Sequence, residues 1–222
     1  MKYLDLTHTI HSTIPSWDGT TGFDLPTVFD YNQGTAPDLM RVQEIHFHGA
    51  MGTHMDSPAH FVEGAKTIEK LELESLIGDC VVIKVDHEAD ENYVIMPSTV
   101  EAFEKDHGTI KPNTLVIFYT GWEKYWETPA QYQNNFKFPS VHEDTAKLLL
   151  ERNISGLGID TLSADTGVHG FSVHRAILGA GKYLVENIAH AGELPVTGAK
   201  VFVMPLKIKD AVESPVRLVA VV

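Results

Sequence analysis

Two imidazoles and a carboxylate fall within seven residues of this chain, in the run Gly52-Thr53-His54-Met55-Asp56-Ser57-Pro58-Ala59-His60. Neutral imidazole and carboxylate are the usual protein donors for zinc or manganese. Pro58 keeps the run off a regular helix, because a proline inside a helix removes a hydrogen bond and clashes with the preceding turn. Ser57, just before it, is biased to extended backbone. Residues of equal parity in extended backbone point the same way, so His54, Asp56 and His60 are expected to converge on one point. The chemistry this suggests is hydrolysis by a metal-activated water.

A second group of donors lies far along the chain. His174 sits in Phe171-Ser172-Val173-His174-Arg175, and Glu186 sits among apolar residues in Tyr183-Leu184-Val185-Glu186-Asn187. Burying a lone carboxylate costs several kcal/mol, and a cation would supply the missing charge. An ion pair from Glu186 to Arg175 or Lys182 is the alternative. His46 and His48 share parity with the motif and lie just before it, so either can reach a metal, with packing as the ordinary role. His8, His11, His87 and His107 are isolated and read as surface or hydrogen-bonded histidines. Trp17 and Phe23 are candidates to line a pocket, against ordinary packing.

Other catalytic patterns fail. His142-Glu143 opens like a zinc-protease helix, but Ala146 stands where the second histidine is required. Gly-x-Ser-x-Gly, the nucleophile elbow of serine hydrolases, is absent. Gly179-Ala180-Gly181-Lys182 lacks the serine or threonine and the upstream glycine of a phosphate loop.

The bulk properties set the frame. A chain of 222 residues fits one domain, 1–222, with a large core. Its net charge of −13, with 17 scattered lysines and arginines, argues against nucleic acid as a partner. Cys80 is the only cysteine and lies in the apolar run Cys80-Val81-Val82-Ile83, so it reads as a buried hydrophobe. The N-terminal residues show no signal-peptide pattern, and no run of about 18 apolar residues suggests a membrane span. A soluble cytoplasmic protein is the expectation.

The elements that must position these residues are of mixed type. Residues 11–40, rich in Gly and Pro, read as a long loop region. Asp79 to Val85, Thr114 to Tyr119 and Ile154 to Asp160 are short runs rich in β-branched residues, as buried strands are. Val201 to Ile208 and Val216 to Val222 read as two C-terminal strands. Ser98-Thr99-Val100-Glu101 and Ser140-Val141-His142-Glu143 match capping boxes opening helices that run to about His107 and Arg152. Ser172 is a candidate N-cap for a short helix ending near Gly179 or Gly181. The chain is therefore α/β, its sheet built from distant segments.

Taken together, Gly52-Thr53-His54-Met55-Asp56-Ser57-Pro58-Ala59-His60-Phe61 resembles the signature of the cyclase-like metal-dependent hydrolases, which include bacterial kynurenine formamidase and isatin hydrolase. The likeness extends along the chain. Leu4-Asp5-Leu6-Thr7-His8-Thr9-Ile10 is similar to the family's opening strand, and Gly158-Ile159-Asp160-Thr161-Leu162-Ser163-Ala164-Asp165 to an internal segment. His174 and Glu186 stand where the family places two later ligands. Pro205-Leu206-Lys207-Ile208 and Ser214-Pro215-Val216-Arg217 are similar to its C-terminal signature.

The resemblance implies a β/β/α fold with a mixed barrel-like sheet, in a homodimer or homotetramer. It implies one or two Zn2+ or Mn2+ ions held by His54, Asp56, His174 and Glu186, with Asp56 and Glu186 able to bridge. His60 would be the general acid/base. The implied substrate is a small amide, a lactam or an aryl formamide such as N-formylkynurenine from tryptophan catabolism, and an aromatic one would suit a pocket lined by Trp17 or Phe23. There is one departure: the family has a histidine four residues before His54, where this chain has Ala50. Three readings follow. His48 reaches in, helped by the flexibility of Gly49; the site holds one ion, or two weakly; or the activity is altered. The alternatives to an amidohydrolase are a metal-binding or assembly module and a metal-dependent cyclase or lyase.

Overall fold

The computed structural model describes residues 1–20, 22–34, 37, 39–167 and 170–222. The strands are β1 (Tyr3–Asp5), β2 (Thr27–Phe29), β3 (Val42–Gln43), β4 (His54–Asp56), β5 (Ile77–Lys84), β6 (Val94–Ile95), β7 (Leu115–Tyr119), β8 (Ser140–Val141), β9 (Gly156–Ile159), β10 (Tyr183–Glu186), β11 (Ala199–Pro205) and β12 (Glu213–Val221). The helices are α1 (Leu73–Leu76), α2 (Pro97–His107), α3 (Pro129–Gln133), α4 (Glu143–Glu151) and α5 (Ser172–Gly179).

One sheet organises the molecule, in the order β1-β12-β11-β5-β7-β9-β10-β4, and a further pairing of β12 with β4 closes seven of its strands into a barrel. The run β5-β7-β9-β10 is parallel, whereas β4, β11 and β12 pair antiparallel. This is the mixed barrel-like sheet expected from the sequence. Closure removes the unpaired edges that an open sheet would present.

Alternation along the strands sorts their side chains into two cores. Met55, Cys80, Val82, Leu115, Ile117, Val185, Val201 and Leu218 belong to one buried cluster. Ile83, Val116, Phe118, Leu157 and Leu184 point the other way and pack with Val100, Leu149 and Ile177 from α2, α4 and α5. Cys80 is buried, as expected, and burial pushes its thiol well above the usual range. Gly156 has a steric reason: a side chain there would collide with the Tyr183 ring. A third cluster, with Trp122, Trp126, Tyr132 and Phe138, supports the N-terminal segment through Ile14 and Met51.

The structure corrects several local expectations. Helix α2 begins with Pro97 at its first turn, after Met96, without the capping box expected at Ser98; proline suits that position because its missing N–H has no partner there anyway. Ser140 and Val141 form β8 instead of a cap, and His142 caps α4, its Nδ1 accepting from the Asp144 amide at 3.1 Å. At α5 the N-cap is Phe171, not Ser172. The expected loop over residues 11–40 contains β2, which pairs with β3; its residues 21, 35, 36 and 38 lie outside the described residues. No helix among the described residues is long and apolar enough to cross a membrane.

Candidate active site

Strand register places the first four donors. β4 lies between β10 and β12, with Glu186 opposite His54 and Glu213 opposite Asp56. Residues directly across an antiparallel pair share a face. His54, Asp56, Glu186 and Glu213 therefore emerge together, while Met55 turns into the opposite cluster.

Local backbone sets the imidazole tautomers. Gly52 adopts a φ of 64, which favours glycine, and its carbonyl accepts from His54 Nδ1 at 3.0 Å and from Asn187 Nδ2 at 2.9 Å. A carbonyl only accepts, so the His54 proton sits on Nδ1 and Nε2 is left as a donor to a cation. His174 is treated alike. Asp165 Oδ2 accepts from His174 Nδ1 at 2.8 Å and from the His174 amide at 2.9 Å, and Oδ1 accepts from the Val173 amide at 3.2 Å. Asp165 thus caps α5 and aims its imidazole.

Two carboxylates bridge the two imidazoles. His54 Nε2 lies 3.5 Å from Asp56 Oδ1 and 3.6 Å from Glu186 Oε2. His174 Nε2 lies 3.4 Å from Asp56 Oδ2 and 3.4 Å from Glu186 Oε1. These separations exceed a normal hydrogen bond. They match the roughly 3.0–3.5 Å between two donors that each stand about 2.0–2.2 Å from a shared ion. All four residues are buried, and Asp56 Oδ1 has no hydrogen-bond partner.

The electrostatics point the same way. Burial pushes the Glu186 carboxyl up to about 7, with the Asp56 charge adding to it. Burial alone would hold His174 down, but Asp165, Asp56 and Glu186 lift it to about 10. Burial likewise opposes the upward shift of His54, and the Asp56 and Glu186 charges outweigh it. The carboxylates draw positive charge to this point, and a divalent cation supplies it through the same donors. The residues fit a zinc or manganese ion on their donor chemistry, their spacing and the orphaned Asp56 oxygen.

His60 arrives by a different route from the extended run. The extended run stops at Asp56, and Pro58–His60 form a 3-10 turn, so parity does not carry through. Ser57 fixes the corner, its amide and hydroxyl both donating to the Val212 carbonyl. The His60 ring packs edge-on against Phe61 and stands 6.2 Å from the His174 ring. Its side chain is 28% exposed, and its Nε2 lies 3.8 Å from Glu213 Oε1.

A cavity of about 440 Å³ is lined by His54, Asp56, His60, His174, Glu186 and Trp17, together with Ala50, Phe61, Leu162, Ser163, Phe171, Asn187 and Glu213. Trp17 stacks at an angle on Phe136 and Phe171, with ring centroids 4.5 and 5.7 Å away. His48 is not brought to this site: it is exposed and its imidazole lies over Gly22. Phe23 packs against the tryptophan cluster and is not among the lining residues. The alternative ion pairs for Glu186 do not form: Arg175 donates to the Gly170 carbonyl and Lys182 to Asn153. Glu213, Asp165 and Asn187 were not singled out from the sequence. Asp165 stood in a segment carrying the resemblance without a role, and Glu213 preceded one.

A family model, Cyclase ("Putative cyclase"), matches residues 4–166. The isatin hydrolase of Roseibium aggregatum is 28% identical over 186 residues, covering 77% of this chain and 71% of that protein. The kynurenine formamidase of Maricaulis maris is 24% identical over 220 residues, covering 98% of this chain and 97% of that protein. Among solved structures, isatin hydrolase A from Labrenzia aggregata bound to benzyl benzoate superposes with a TM-score of 0.90 at 28% identity, covering 99% of this chain and 93% of that one.

Proposed function

Because the chain belongs to the Cyclase family, we propose that it is a metal-dependent hydrolase that opens the C–N bond of a small amide, aryl formamide or lactam, residues 1–222 acting as one domain. The observation that carries this reading is the pair of buried imidazoles, His54 and His174, bridged by Asp56 and Glu186 on the wall of a cavity. Those four residues would hold one or two Zn2+ or Mn2+ ions. A divalent cation held there polarises a carbonyl and acidifies a water molecule.

The chain's own residues account for the remaining steps. His60 faces the same cavity from outside the donor set and is partly exposed to it. It takes the proton from the attacking water and returns it to the amide nitrogen as the C–N bond breaks. Imidazole suits both transfers near neutral pH. Trp17, Phe61 and Phe171 give the cavity aromatic walls, which favour an aryl substrate over an aliphatic one. Gly52 and Asp165 hold the two imidazoles in the tautomer that presents Nε2.

Elemental analysis of protein purified without chelator, followed by assay on a panel of aryl formamides and lactams, tests the proposal. Stoichiometric zinc or manganese and release of the free amine or ring-opened acid are expected. A protein with no bound ion would instead be an assembly module, and one that binds metal but opens no amide would fit a cyclase or lyase.

A further inference from the structure

Glu213 begins β12 directly opposite Asp56, so register alone brings its side chain to the face of the donor cluster. One of its carboxylate oxygens, one of Asp56 and a ring nitrogen of His54 lie within 4.8 Å of one another. Asp56 Oδ1 is the oxygen turned towards His54, and it is buried without a hydrogen bond. Glu213 is 23% exposed at the side chain and lines the cavity. A Cβ on Gly49 would meet the Glu213 Cβ and carbonyl oxygen at 3.0 Å, so the bare glycine lets the two segments lie this close, and Ala50 lines the same cavity with a single methyl.

We propose that Glu213 is the third donor of a second cation site, formed with His54 Nε2 and Asp56 Oδ1 beside the group of Asp56 Oδ2, His174 and Glu186. The inference rests on the reading that the latter group holds a cation. One nitrogen and two carboxylate oxygens suit Zn2+ or Mn2+, and three protein donors leave coordination places for water or substrate on the cavity side. Orientation of His60 is the competing role for Glu213. At 3.8 Å the His60–Glu213 contact is too long for a hydrogen bond, whereas that spacing leaves Glu213 free to turn towards an ion. The carboxylate on the last strand thereby supplies a donor at the place where Ala50 offers none.

The test uses the full chain stripped of metal and titrated with Mn2+, read by calorimetry and by electron paramagnetic resonance. The wild type is expected to bind two ions per chain with the broadened signal of a spin-coupled pair. Glu213→Gln, which keeps size and polarity but not charge, is expected to bind one ion with the six-line spectrum of an isolated Mn2+. Its second-ion affinity should fall by at least about 100-fold, beyond the roughly 10- to 100-fold loss that follows removal of a residue behind the ligands. The single ion retained by Glu213→Gln shows that the variant is folded. His60→Ala should still bind two. Two ions in Glu213→Gln, or only one in the wild type, would overturn the proposal. No ion in the wild type would overturn the hydrolase reading on which it rests.

Discussion

His174 Nδ1 donates to Asp165 Oδ2 across 2.8 Å, and the same carboxylate accepts the amides that open the helix carrying that imidazole. One side chain therefore sets both where α5 starts and which way its histidine faces. A carboxylate behind a metal-binding imidazole fixes the ring and raises its basicity, and its loss typically costs about 10- to 100-fold in metal affinity. Asp165→Asn keeps an acceptor for the backbone but removes the charge. We expect Mn2+ affinity, measured by competition with a chelating dye, to fall within that range while far-UV circular dichroism stays unchanged. Unaltered affinity would remove Asp165 from this role.

His60 stands outside the bridged donors, so its removal should separate binding from turnover. His60→Ala is expected to keep its metal content and lose about 10²- to 10⁴-fold in kcat, the usual worth of a general acid or base. Elemental analysis beside steady-state kinetics on an aryl formamide decides it. Full activity, or loss of the metal, would contradict the assignment.

Much of this site could be read from residue types, and what could not be read depended on register. His54 and Asp56 were visible as donors in an extended run, and Glu186 as a carboxylate among apolar neighbours. Their meeting depends on pairing across more than a hundred residues, where local periodicity carries no information. Glu213 was hidden for the same reason: only its position opposite Asp56 gives it a role. The strands were legible because buried strands are apolar and β-branched, as in Leu115–Tyr119. Their ends were less so, since Gly78, a poor strand former, owes its place to pairing with β11. Helix starts were misplaced where Pro97 and His142 overrode serine caps.

Trp17 offers a test of substrate class. Its ring contacts Phe136 and Phe171 at the cavity wall, and it is 39% exposed. Trp17→Ala should raise KM for an aryl formamide by about 3- to 10-fold, the worth of one aromatic contact of about 0.5–1.5 kcal/mol. KM for a small aliphatic formamide should stay unchanged. An equal rise for both substrates would show that Trp17 shapes the site without selecting aromatic rings.

Large apolar side chains are exposed on β2 and β3 and just beyond them: Val28 is 50% exposed, Val42 43% and Ile45, two residues after β3, 62%. Contiguous exposed apolar surface commonly marks an association site. We propose that this surface serves the homodimer or homotetramer that the family resemblance implies. Ile45→Glu would place a charge in such a contact. Sedimentation velocity should show an oligomer for the wild type and a shift to monomer for the variant. A wild-type monomer at micromolar concentration would dismiss the idea.

His8 makes acid stability a further test. Its ring lies flat on Trp126, centroids 3.8 Å apart, and its Nε2 is buried without a hydrogen-bond partner. Burial, with a smaller contribution from the nearby charge of His190, lowers the imidazole from 6.5 to about 4. A histidine with a depressed folded pKa favours folding above its unfolded value, where both states are neutral. As pH falls from about 6.5 towards about 4 the unfolded chain takes up a proton that the folded one refuses, and stability is lost. The shift corresponds to roughly 3 kcal/mol across that window. His8→Phe keeps the stack on Trp126 but cannot titrate. Urea unfolding at a series of pH values should therefore show the wild type losing about that much more than His8→Phe between pH 6.5 and 4. Parallel curves for the two proteins would mean that His8 accepts its proton freely in the folded state.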